Sequence, residues 1–122
     1  MSRFVIRRVA SGVKFELTAV NGQIIASSEV YTAEAACRRG IASVRKAALT
    51  QKVEDQTISG YRTLTNPKYE IFQDRAGQFR FRLKARNGEI IAVSEGYAAK
   101  GGCLKGMESV AENAPRAEIM EE

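Results

Sequence analysis

The chain has 122 residues, with 19 Lys/Arg against 14 Asp/Glu for a net charge of +5, and is 44% hydrophobic and 27% charged. That balance suits one globular domain large enough to bury a core without staples. It contains no histidine, which excludes His-based triads and His-ligated zinc, and its two cysteines are too few for a disulfide framework.

In chain order, the sequence is built twice. Residues 15–48 (FELTAVNGQIIASSEVYTAEAACRRGIASVRKAA) align without a gap on 81–114 (FRLKARNGEIIAVSEGYAAKGGCLKGMESVAENA) at an offset of 66, with 17 identities in 34 positions. Upstream, Phe4-Val5-Ile6 answers to Tyr69-Glu70-Ile71 at an offset of 65, so a one-residue difference lies in the first turn. Arg7 and Arg8 interrupt this N-terminal segment where a signal peptide needs unbroken apolarity, and no run of about 18 apolar residues occurs anywhere. A cytoplasmic setting is expected. The helix of the first copy has Thr32 as N-cap and an inward stripe of Ala33, Ala36/Cys37, Gly40/Ile41, Val44 and Ala48. Residues 52–54 correspond to 118–120.

A polar link, 56–68, carries Gly60 and Pro67. In the second copy, 69–73 alternate as a strand and 74–77 form a turn closed by Gly77. Residues 79–86 are a period-2 strand with Phe79, Phe81, Leu83 and Ala85 on one face. Asn87-Gly88 predicts a two-residue type I′ hairpin turn into a third strand at 89–94. A helix is expected over 99–113, stopped before Pro115, with a short strand at 118–120.

One such unit of about 50 residues has little core, so two copies about a pseudo-two-fold axis would form one shared core, as a fused homodimer. The fold class is α+β, with antiparallel hairpins. Residues 1–122 form a single pseudo-symmetric domain: repeat one 4–55, linker 56–68, repeat two 69–120. A monomer is expected, the duplication having satisfied the dimeric requirement.

The strings FRFRLKA, NGEIIA, SEGY and GMESVAENAP in residues 69–114, with NGQIIA and SEVY in the first copy, resemble the YegP-like family of small bacterial proteins of unknown function. The resemblance covers nearly the whole chain. It implies tandem β-β-β-α-β repeats in one antiparallel sheet with helices on one face, the last strand of each repeat (52–54 and 118–120) crossing to the other. Single-repeat members are implied to dimerise into the same arrangement. The family implies no activity, cofactor or catalytic residue; Cys37 and Cys103 depart from its usual small or polar residues.

Arg80, Arg82, Lys84 and Arg86 stand in line on one strand and form a candidate polyanion strip. With a two-residue turn, Arg86 would face Glu89 and Arg80 would face Glu95, a pair that Lys14 and Glu29 repeat in the first copy. That favours a solvated structural face. Residues 1–65 carry 10 Lys/Arg against 5 Asp/Glu, and residues 66–122 carry 9 against 9. The excess therefore lies in the first repeat, where Arg7, Arg8, Arg38, Arg39, Arg45 and Lys46 are the preferred nucleic-acid or polyanion contacts. Cys37 and Cys103 fall on the inward stripe and read as buried and inert; a reactive thiol or a disulfide across the pseudo-two-fold are the alternatives. The repeated Ser28/Glu29/Tyr31 and Ser94/Glu95/Tyr97 read as strand-to-helix corners, with Ser bonded to backbone, Glu paired across the strand and Tyr at the sheet edge with its hydroxyl wet. Gly40 and Gly106 recur mid-helix, at about 1 kcal/mol each against alanine, which predicts close packing. The acidic end AEIMEE reads as a frayed, solubilising terminus. No residue is assigned a catalytic, cofactor or metal role, and the leading expectation is a non-enzymatic structural or protein-interaction module.

Overall fold

The computed structural model describes residues 1–122. In chain order the elements are β1 (Arg3–Val9), β2 (Gly12–Thr18), β3 (Ile24–Ser27), α1 (Glu34–Ala47), β4 (Val53–Asp55), β5 (Lys68–Gln73), β6 (Phe79–Lys84), β7 (Ile90–Val93), α2 (Lys100–Asn113) and β8 (Glu118–Glu121). The eight strands form one sheet in the order β4-β5-β6-β7-β3-β2-β1-β8. Period-2 alternation puts Phe15 and Leu17 of β2, and Phe81 and Leu83 of β6, on the face under the helices, all fully buried. Both helices close this face with their small and apolar stripes. Cys37, Ile41 and Val44 of α1 join Cys103, Met107 and Val110 of α2 in one continuous core.

The pseudo-two-fold axis is visible in the strand register. β3 and β7 meet at a single bridged pair, Ser27 with Val93, which are each other's equivalents at the 66-residue offset. A residue opposite its own copy is what a two-fold axis between antiparallel strands produces. α1 reaches across this seam to β6 and β7, and α2 to β3.

The last strands are exchanged between repeats. β4 pairs with β5, and β8 pairs with β1, both in parallel. The sheet is therefore mixed and not wholly antiparallel as expected. Across the sheet order β4 runs opposite to β3, the strand before its helix, and β8 opposite to β7, so each lies parallel to the first strand of the other repeat.

The hairpin turn also differs from expectation. No residue other than glycine has positive φ, so Asn87 cannot occupy a type I′ turn. Instead the Gly88 N–H donates to Ala85 O and the Ala85 N–H to Glu89 O, both at 2.9 Å, with Gly88 alone at φ +87°. This three-residue loop carries Arg86 out of the strand and shifts the register between Leu83 and Lys84, so that Lys84 faces Ile90 while Arg82 still faces Val93. Asn21-Gly22 repeats the device in the first copy. At the other end, the Ser94 N–H donates to Phe81 O while the Phe81 N–H donates to the Ser94 hydroxyl, and Phe79 and Tyr97 exchange backbone bonds, so one extra residue bulges at Glu95-Gly96 and Glu95 loses its place opposite Arg80. Both helices begin after an alanine, Ala33 and Ala99, with no side-chain cap; Thr32 is not the N-cap.

Candidate functional site

The six cations of the first repeat are largely consumed by the fold. Arg7 bonds Glu16 at 2.5 Å and also pairs with Glu122. Arg8 meets Glu34 at 2.9 Å, and Arg38 meets Glu34 at 2.9 Å and Glu121 at 3.2 Å. The guanidinium of Arg45 lies 5.4 Å from the Phe4 ring centroid and donates to Ala117 O at 2.6 Å. Only Arg39 and Lys46 are exposed without an acidic partner. The acidic end is thus no frayed tail: β8 is laid down beside β1, and its carboxylates neutralise the very arginines proposed as a polyanion surface.

The basic strand β6 is compensated as well, by different partners from those expected. Arg80 bonds Asp74 at 2.7 Å, and Arg82 and Lys84 reach Glu70 at 2.5 and 3.4 Å. The bulge at Glu95-Gly96 explains why Arg80 turns to the β5 side, and Arg86, carried into the loop, is left exposed and unpaired. Glu29 and Glu95 are likewise exposed, and Lys14 turns to Glu16 of its own strand at 3.8 Å.

Behind β5 lies a buried ionic cluster that no single stretch of sequence announces. Glu54 on β4 and Lys68 and Glu70 on β5 are all under 5% exposed. The Lys68 ammonium donates to Glu54 Oε1 at 2.6 Å and lies 3.0 Å from Glu70 Oε2. Linker residues fold over the cluster: Gln56 Nε2 and the Leu64 N–H each donate to Glu54 at 2.7 Å. Burial alone would raise the Glu54 carboxyl, but the bonds from Lys68, Gln56 and Leu64 hold it at about 2. Glu70 is lowered in the same way by Arg82 and Lys68 against its own burial, and Lys68 is raised by the two carboxylates against its burial. In the first repeat the corresponding facing pair is Val5 and Met120, so the same sheet position is apolar there. The only hint in the sequence is the charged alternation Lys68-x-Glu70, and Lys68 itself falls in the expected linker.

The remaining chemistry-bearing groups are structural in their contacts. Cys37 and Cys103 are free and fully buried, and burial raises both thiols, Cys103 to about 11. The Ser28 hydroxyl accepts from the Phe15 N–H and donates to Glu29 O; Ser94 does the same between Phe81 and Glu95. Tyr31 and Tyr97 are half-buried and not set at a wet sheet edge: their hydroxyl ends lie against Gly40 and Gly106, where a Cβ would stand 2.4 Å from the oxygen. The glycines make room for these rings. A shallow cleft of about 440 Å³ opens at the β3–β7 seam, with Ser27, Ser28, Ser94, Glu29, Arg80 and Glu95 on its walls, and the hydroxyls of Ser28 and Ser94 are already engaged.

Comparison with known proteins matches this arrangement. The signature of the family described as "Domain of unknown function (DUF1508)" matches twice, at residues 10–55 and 74–121. The solution structure of the Escherichia coli "protein of unknown function yegP" superposes with a TM-score of 0.82 at 29% identity, covering 99% of this chain and 92% of that one. "UPF0339 protein YegP" of Yersinia pestis is 31% identical over 93% of this chain and 88% of its own length. A "UPF0339 protein" of Methanosarcina acetivorans is 58% identical over 53 residues, which are 43% of this chain but 91% of that relative. Relatives of one repeat and of two repeats therefore both occur.

Proposed function

Because the chain belongs to the DUF1508 family, a domain of unknown function, we propose that it is a non-enzymatic, cytoplasmic protein-interaction module, acting as a single chain whose two repeats stand in for the subunits of a homodimer. One observation carries this reading: the buried titratable groups saturate one another. An active site keeps a perturbed acid, base or nucleophile open to a concavity. Here Glu54, Glu70 and Lys68 are locked together, both thiols are buried and raised, and Ser28 and Ser94 of the Ser–Glu–Tyr corners spend their hydroxyls on backbone.

The polyanion reading is weaker, because phosphate binding needs several uncompensated cations on one surface. Arg39 and Lys46 are what remains of the six. The half-length relative supports the fused-dimer idea, since a lone repeat lacks the partner strand for its own edge.

The reading is tested by affinity capture on the immobilised chain from native lysate, with and without nuclease, at about 150 mM salt. Retention of a defined protein after nuclease treatment is expected. Retention that disappears with nuclease overturns the reading in favour of nucleic acid, and a chemically altered small molecule in the eluate overturns its non-enzymatic half.

A further inference from the structure

We infer that the groove between the C-terminal turn of α1 and the β6–β7 loop is a docking site for an acidic peptide segment, a glutamate or aspartate side chain seated between Lys46 and Arg86. The inference deepens the interaction-module reading and rests on it. The groove measures about 510 Å³, with Ala47, Pro67 and Ala85 as an apolar floor. Lys46 and Arg86 are exposed on its walls, each without an acidic partner, and no carboxylate lines it. Asn87 adds a donor, because its Oδ1 is occupied by the Glu89 N–H while Nδ2 is free.

The duplication supplies an internal comparison. The equivalent groove, about 450 Å³ between α2 and the β2–β3 loop, keeps Ala19 and Asn21 where the first has Ala85 and Asn87. It places Val20 opposite Arg86, Glu112 opposite Lys46, and adds Arg116. The fold thus requires cations at neither position. Lys46 is not explained as a complement to the helix dipole either, since α2 carries an acid at the same turn. The two grooves occupy equivalent positions and differ in charge, and only one is uniformly cationic.

The chemistry of the ligand follows from what surrounds the cations. Nucleic acid calls for a longer run of cations and for exposed aromatic rings on which bases stack, and the groove has two cations and no aromatic residue. A phosphate monoester is favoured by helix N-termini, whereas α1 presents its C-terminal, negative end here. A single carboxylate fits better: it matches the fork of Arg86, tolerates the weak opposing dipole, and carries methylenes to lie on the alanine and proline floor.

The test is a titration of the isotope-labelled full chain with a glutamate-rich peptide, followed by backbone amide shifts, with the glutamine-for-glutamate peptide as control. Shifts are expected at Ser43, Ala47 and Asn87 and not at Ser109, Asn113 and Asn21. Arg86→Val and Lys46→Glu each install the residue the sister groove already holds, and each is expected to weaken binding roughly fivefold. The converse pair, Val20→Arg with Glu112→Lys, is expected to add a second equivalent site. Equal shifts in both grooves, binding unchanged in the Arg86→Val/Lys46→Glu chain, or stronger shifts with inorganic phosphate or a short oligonucleotide than with the peptide would each overturn the inference. If that double variant captures the same lysate protein as the parent chain, the groove assignment fails while the interaction-module reading stands.

Discussion

Lys68 holds two buried carboxylates apart, with its ammonium 2.6 Å from Glu54 and 3.0 Å from Glu70. Replacing it alone by methionine leaves those charges facing each other out of water, which is expected to cost about 3–5 kcal/mol in urea denaturation. Replacing the whole cluster is a different experiment. Val5 and Met120 occupy the corresponding pair in the first repeat, so Lys68→Met with Glu54→Met and Glu70→Val is expected to cost less than Lys68→Met alone, although it strands the Leu64 N–H and releases Arg82 and Lys84 to water. The cluster also sets an acid limit. The Glu54 carboxyl sits at about 2 when folded against its ordinary 4.5, so the folded form binds this proton less readily than the unfolded chain. Its contribution is full above 4.5 and is lost as pH falls toward 2, which urea midpoints measured down that range will show. The triple variant is expected to have the flatter acid profile. Lys68, raised above 10.5, keeps its contribution throughout this range and loses it only at strongly alkaline pH. None of this was legible locally: Lys68 and Glu70 look like an ordinary wet alternation until Glu54 and the linker are placed over them.

The two helices were legible from their stripes, because small and apolar residues at helical spacing have one way to meet a sheet. The reason for their glycines was not. At Gly106 an added Cβ would stand 2.4 Å from the Tyr97 hydroxyl and 3.0 Å from both Tyr97 Cζ and Phe81 Cε2. Gly106→Ala gains about 1 kcal/mol of helix propensity, yet overpacking of this kind costs about 1–3 kcal/mol. A net loss of stability is expected in thermal unfolding, partly recovered when Tyr97→Phe removes the nearest atom. The hairpins show the reverse case, where a strong local signal misled. Asn-Gly favours a two-residue turn, but Gly88 alone takes positive φ and a bulge follows. That one-residue difference moved Arg86 out of the row of strand cations and beside Lys46 in the groove. A bulge at Glu95-Gly96 likewise broke the expected Arg80–Glu95 pair and sent Arg80 to Asp74.

At the scale of the molecule, each repeat ends by lending a strand to the other, and β4 and β8 become the outer edges of one sheet. Both edges are short, three and four residues, and β8 carries Glu118 and Glu121, features that discourage edge-to-edge pairing. Sedimentation at micromolar concentration is expected to give the mass of one chain, and a stable dimer of full chains would contradict the fused-dimer reading. The sequence by itself determined the duplication, the inward faces of β2 and β6 and the packing stripes of both helices. Those features are periodic, and a period of 2 or 3.6 residues assigns a side chain to a face without reference to anything distant. Only the tertiary structure decided which charges meet. Glu54 reaches Lys68 through the exchanged strand, Glu121 and Glu122 return to Arg38 and Arg7, and Lys46 comes to share a groove with Arg86. Ion pairs depend on neighbours brought from other strands, so a pattern that fixes the face of a charged residue leaves its partner open until the chain has crossed over.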